Sequence, residues 1–236
     1  ILKYTSTGVS LGAQNGTCNN SGASNFGDWR NAVCFIGDDE EHNLHMDQSN
    51  QLADGLKANH HELNIDKIFL DAYVQQATPG GNRYPEVSEA IDKKMERGSL
   101  IINYTGHGGE IGLAHERIVE IPQINNWSNI NKLPLMFTAT CEFSRFDDPE
   151  RTSAGELAFL NSNGGAIAMM TTVRLVYAQP NFNLNQNFYD YAFDTLPNGE
   201  MPRIGDLFRL TKVASGPDLN NRNFTMFGDP ALRLAY

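Results

Sequence analysis

Cys141 and His107 are the residues of this 236-residue chain best suited to covalent chemistry. Both close short apolar runs. Leu135-Met136-Phe137-Thr138-Ala139 stops at Thr140-Cys141-Glu142, and Leu100-Ile101-Ile102-Asn103-Tyr104 stops at Thr105-Gly106-His107-Gly108-Gly109. A cysteine thiolate activated by a nearby histidine is a standard nucleophile arrangement. The glycines around His107 leave backbone N–H groups unobstructed, so the amides of Gly108 and Cys141 are candidates to face a developing oxyanion, each worth roughly 3–4 kcal/mol in well-studied proteases. The bland reading stands beside this one. A cysteine at the end of an apolar strand is ordinarily buried and inert, and a histidine among glycines is ordinarily a turn residue. What favours chemistry is their joint placement at two strand ends, 34 positions apart, room for one crossover. The remaining thiols are less promising. Cys34 sits among Ala, Val, Phe and Ile and reads as core, while Cys18 lies in a polar Gly/Asn stretch. Three cysteines cannot all pair within one chain, so at least one thiol is left over.

A second polar group follows the run Ala32-Val33-Cys34-Phe35-Ile36-Gly37. Asp38, Asp39, Glu40 and Glu41 offer hard oxygen ligands of the kind calcium takes, but a solvated acidic turn is the preferred reading. His42 and His45 nearby suggest zinc, which is set aside for want of a third firm ligand. No metal or cofactor is therefore expected, with calcium the one alternative. His115, eight residues beyond His107, competes for the base role.

These residues need a scaffold that brings strand ends together. Apolar runs at 32–36, 68–70, 100–104, 135–139 and 165–170 alternate with helical spacing over Met46–Leu56, after Pro85 (Val87, Ile91 and Met95), over Ser153–Leu160, Phe182–Phe193 and Ile204–Val213. Such alternation implies parallel strands with helices on both faces, a doubly wound α/β domain. In such a sheet ligands bind outside the carboxyl ends of the strands. Residues 1–27 read as an irregular lead-in and 28–236 as one domain. Gly228-Asp229-Pro230 reads as a turn before a terminal strand. The chain begins with Ile1 and reads as a piece of something longer, so the lack of a targeting segment carries no localisation evidence.

Composition limits the partners. A net charge of −10 argues against nucleic acid or an anionic membrane as main partner, and 40% hydrophobic residues suffice for a core. No apolar run approaches the roughly 18 residues of a membrane span. Asparagine occupies 25 positions against 18 for Lys and Arg together, a solvated, weakly charged surface of the kind found on secreted proteins.

The run Asn103-Tyr104-Thr105-Gly106-His107-Gly108-Gly109-Glu110, followed by Thr138-Ala139-Thr140-Cys141, resembles the gingipain family of cysteine peptidases, which share the caspase-like fold. The nearer likeness is to the PorU-type sortases of the type IX secretion system. It also rests on 26–31, Gly37-Asp38-Asp39 with His45-Met46, Gly112–Glu116, Ser144–Asp147, Thr152–Glu156, Thr171–Arg174 and Phe227–Leu234, so it spans about 25–236. The resemblance implies Cys141 as nucleophile, His107 as general acid/base, and the Gly108 and Cys141 amides as oxyanion hole. A carboxylate orienting the histidine comes, in some members, from the loop after the first strand, which favours Asp38 or Asp39. Arg174, Thr172, His115 and Glu142 would border the substrate; for Arg174 the alternative is an ion pair with Glu142 or Glu156.

The function so implied is a cysteine endopeptidase or transpeptidase at the bacterial cell surface, on the outer face of the outer membrane. It would cleave the C-terminal secretion signal of cargo proteins beside other type IX secretion components, and pass the acyl group to water or to an amine of a surface lipopolysaccharide. Alternatives are a gingipain-like surface protease and an inactive signal-binding module of the same fold.

Overall fold

The computed structural model describes Tyr4 and residues 27–235; most of the expected lead-in, Cys18 and the final residue lie outside the described residues. A six-stranded sheet forms the centre. Its strands are β1 (Ala32–Gly37), β2 (Asn64–Phe69), β3 (Ile101–Thr105), β4 (Leu135–Ala139), β5 (Ala168–Thr172) and β6 (Phe224–Phe227), in the order β6-β5-β4-β3-β1-β2. All pairings are parallel except that of β6 with β5. The helices are α1 (Glu40–Asn59), α2 (Pro85–Arg97), α3 (Ile121–Asn126), α4 (Ala154–Leu160), α5 (Ala178–Ala192), α6 (Ile204–Ser215) and α7 (Leu219–Asn223).

Alternation along each strand sends side chains to two separate cores. Val33, Phe35, Ile101, Leu135, Phe137 and Met170 pack with Leu52 and Leu56 of α1, Leu184 and Phe188 of α5 and Leu207 of α6. Cys34, Ile36, Ile102, Tyr104, Met136 and Met169 pack on the other face with Val87, Ile91 and Met95 of α2 and with α3 and α4. Each such buried side chain stabilises the fold by about 1.5–3 kcal/mol relative to exposure. Because β1, β3, β4 and β5 are covered on both faces, they read as continuous apolar runs. The doubly wound reading therefore holds.

One polar group breaks the first core. Asn103, fully buried on β3, exchanges amide hydrogen bonds with Asn185 of α5 (2.7 and 3.0 Å) and donates to the Tyr189 hydroxyl (3.1 Å). That network pins α5 to the middle of the sheet.

The chain end departs from expectation. The last strand among the described residues, Phe224–Phe227, precedes the Gly228-Asp229-Pro230 turn, and of the described residues beyond that turn only Arg233 makes an isolated bridge, to Arg203. Gly228 turns the chain with φ 126°, where an added Cβ would lie 2.7 Å from Ala168. Two small ribbons also lie outside the expected elements: Gln76–Thr78 with Gly81–Arg83, and Gly108–Gly109 with Gly112–Leu113 and Val119–Glu120. The second is part of the active edge.

Candidate active site

Strands β1, β3 and β4 are neighbours, so the loops that follow them meet at one edge of the sheet. Lateral main-chain bonds extend the pairing past the strand ends: Asp38 N–H to Thr105 O (3.1 Å) and Gly106 N–H to Ala139 O (3.4 Å). The register pairs Thr105 with Ala139, so Gly106-His107 and Thr140-Cys141 leave the sheet side by side. An added Cβ on Gly108 would fall 2.6 Å from Oγ1 of Thr140, which shows how closely the glycine loop passes the residue before the cysteine. The Cys141 thiol donates to the carbonyl of Val176 at 3.6 Å. Among the described residues no hydrogen bond links it to the His107 ring.

His107 is held by its backbone on one side and its ring on another. Its N–H donates to Oδ2 of Asp38 (2.9 Å), and its carbonyl accepts from the Tyr104 hydroxyl (2.6 Å). Asp38 is fully buried and also accepts from Glu40 N–H (3.3 Å). Gly106 makes room for this arrangement: a Cβ there would lie 2.3 Å from that of Asp38. Tyr104, buried beside this carboxylate, has its phenol pKa pushed well above the usual value, first by desolvation and then by the Asp38 charge, so it remains a donor.

The ring faces other acids. Nε2 of His107 lies 3.5 Å from Glu41 Oε1 and 3.7 Å from Glu40 Oε2. Of the two carboxylates expected to orient the ring, Asp38 therefore reaches the backbone of His107 instead, and Asp39 accepts from the Tyr84 hydroxyl (2.6 Å). Glu41 reaches the ring because Glu41, His42 and Asn43 take left-handed conformations (φ 54°, 58° and 66°) at the start of α1. Such a turn costs roughly 1–2 kcal/mol per residue for non-glycine side chains, and strain of this kind gathers at functional sites.

Two further histidines complete the group. His115 stacks on His107, with centroids 4.7 Å apart and planes at 15°. Its Nδ1 meets Glu40 Oε2 at 2.7 Å, a contact that raises its pKa. His45 meets His107 edge-on at 5.1 Å. The sequence pattern offered His45 only as a zinc ligand lacking a third partner, not as a neighbour of His107. The available signal is its spacing of four from Glu41, whose Oε2 lies 3.8 Å from its Nε2. The four acids considered for calcium do not converge: Asp38, Asp39 and Glu40 are engaged by His107 N–H, Tyr84 and His115 respectively.

The residues expected to border the substrate divide. His115 and Glu142 lie at the active edge. Glu142, at φ 48°, directly follows the nucleophile candidate, and its N–H donates to the Arg174 carbonyl (3.3 Å). Thr172 is wholly buried, and its hydroxyl donates to the Thr140 carbonyl, so it supports the Cys141 loop from beneath. The Arg174 guanidinium pairs with Asp147 (Nη1 to Oδ1, 2.8 Å), which holds that carboxyl below the usual range. Neither Glu142 nor Glu156 is its partner: Glu142 faces Arg145 at 3.6 Å and Glu156 closes the capping box with Ser153. Cys34 is a core thiol whose pKa burial pushes up to about 12.

The sequence matches the model of peptidase family C25 over residues 16–235. The chain belongs to peptidase family C25, the gingipain family of cysteine peptidases. The fold is likewise similar to solved gingipains. With the Arg-specific cysteine proteinase gingipain R (RgpB) the TM-score is 0.68 at 19% identity, over 88% of this chain and 48% of that one. With the complex of the Porphyromonas gingivalis RgpB pro- and mature domains it is 0.67 at 17% identity, over 88% and 49%. The chain thus spans about half the length of these relatives. No curated protein matches it in sequence. Among the described residues no helix is long and apolar enough to cross a membrane.

Proposed function

We propose that this C25 chain is the catalytic unit of a cysteine endopeptidase of sortase type, acting on C-terminal secretion signals of exported cargo. The observation that carries the reading is the convergence of Cys141 and His107 at the ends of the neighbouring strands β4 and β3, with Gly108 packed against Thr140. The Cys141 thiolate attacks the scissile carbonyl carbon. The oxyanion turns to the amides of Gly108 and Cys141, the C–N bond breaks, and His107 gives its proton to the departing amine. Water or an amine then attacks the thioester, gives its proton back through His107, and regenerates the thiol. With water the cargo is released; with an amine of a surface glycolipid it is joined to the outer membrane. This work would place the enzyme on the outer face of the cell, among the type IX secretion components.

Incubation with a cargo protein carrying an intact C-terminal signal domain, read by mass spectrometry, tests this. The expected products are a single cleavage at the start of the signal and, with an amine present, a matching mass addition, both lost in Cys141→Ala. Cleavage after Arg throughout the cargo instead would favour a second reading, a general surface protease. The fold similarity to an Arg-specific gingipain supports that alternative.

A further inference from the structure

We propose that Glu41, His45 and His107 form a binding site for a divalent cation of the zinc class, and that a cation held there silences the peptidase by occupying Nε2 of His107. The silencing rests on the role given to His107 above; the site itself does not.

Among the described residues these three are the only group of three or more His, Cys, Asp or Glu whose ligand atoms all lie within 4.8 Å of one another. A tetrahedral centre with bonds of about 2.0–2.1 Å places its ligands about 3.4 Å apart. Glu41 already stands near that spacing from both rings, Oε1 at 3.5 Å from His107 and Oε2 at 3.8 Å from His45.

An ion pair between Glu41 and His107 would account for those two residues alone. His45 also faces Glu41, but at 3.8 Å that contact is too long for a hydrogen bond and leaves the ring unsatisfied. His45 is 94% buried (6% exposed), neither ring nitrogen has a hydrogen-bond partner, and its ring stands perpendicular to that of His107, centroids 5.1 Å apart. Buried polar atoms are normally paired, and a cation would satisfy Nε2 of this ring. Two imidazoles and one carboxylate are the donor set of open zinc sites, with a fourth position left over. Two nitrogens among three ligands disfavour calcium, which takes oxygen. Glu40, 3.7 Å from His107 Nε2, adds negative charge beside the group.

The third ligand arrives from the end of a different strand, which is why the pattern His42, His45 and nearby acids did not disclose it. A bound cation would take the lone pair that His107 needs to accept a proton, and would leave Cys141 without its acid.

Zinc chloride titrated into the Cys141→Ala chain against a chromophoric chelator tests the site without any substrate. The expected result is one zinc per chain, reversed by EDTA, with calcium chloride unable to compete. Affinity should fall at least tenfold in each of His45→Gln, Glu41→Gln and His107→Gln on that background. Glu41 has a half-exposed side chain, so its variant keeps the test valid should His45→Gln not fold. Absence of saturable binding, or equal competition by calcium, overturns the site. Binding unchanged by Glu41→Gln overturns it as well. Binding unchanged by His107→Gln overturns the silencing. None of these readouts depends on whether the peptidase reading is right.

Discussion

The carboxylate of Asp38 holds the backbone of His107 at 2.9 Å and leaves the ring of that histidine to Glu40 and Glu41. Position and electrostatics of the candidate base thus come from different acids. Removing Asp38 should act on position. Asp38→Ala strands the half-buried N–H groups of His107 and Glu40, at up to about 1–3 kcal/mol in all. Chemical denaturation should show that loss, and peptide cleavage should slow through kcat more than KM. Asp38→Asn keeps an acceptor and should recover much of the stability.

Gly108 and Gly109 offer a matched pair. A Cβ on Gly108 meets Thr140 Oγ1 at 2.6 Å and Gly112 O at 3.1 Å, whereas one on Gly109 meets nothing within 4 Å. Gly108→Ala should cost about 1–3 kcal/mol by overpacking and impair the approach of the glycine loop to Cys141. Gly109→Ala should stay within about 0.5 kcal/mol of the parent. Thermal melts of the two variants, run together, would show the contrast.

The left-handed turn before α1 predicts a stabilising change. His42 is exposed at φ 58°. Glycine adopts that conformation without steric penalty, so His42→Gly should raise stability by roughly 1 kcal/mol. A drop instead would mean that the imidazole itself contributes.

Burial of His45 predicts an acid-sensitive limb of stability. Its folded pKa lies below the unfolded value near 6.5, with desolvation the main cause. Between those two values the unfolded chain binds more protons, so this contribution is complete above about pH 6.5 and is lost as pH falls toward the folded value. The raised pKa of His115 acts oppositely: its contribution is complete below about 6.5 and fades as pH rises through the folded value. Denaturation midpoints of His45→Gln across pH 5–8, compared with the parent, should show a flatter acid side.

The buried amide pair makes a test away from the active edge. Asn185→Leu removes the partner of Asn103 inside the first core. It should destabilise by about 1–3 kcal/mol, visible as a lower denaturation midpoint.

The central strands were legible because burial on both faces turns β1, β3, β4 and β5 into apolar runs, and their polar ends marked the edge where Cys141 and His107 meet. β6 was not, because its single antiparallel pairing leaves only the short Phe224–Phe227 segment. The glycine ribbon at 108–120 stayed hidden for a similar reason, since strands of two residues carry no period. Glu41 and His45 were weighed and set aside because no glycine advertises the left-handed turn that aims Glu41 at His107. The resemblance put Thr172 at the substrate groove, yet it lies buried at the end of β5, where its hydroxyl donates to the Thr140 carbonyl.

The parallel pairing of β1, β3 and β4 also bears on when this chain becomes able to react. Asp38, His107 and Cys141 are distant in sequence and meet only through crossover connections. Parallel contacts of this kind form late, after the entropy of closing long loops has been met. Nothing short of the assembled sheet brings thiol and imidazole to the same edge. The proposed chemistry and folding are thus a single event: an unfolded chain holds no such pair.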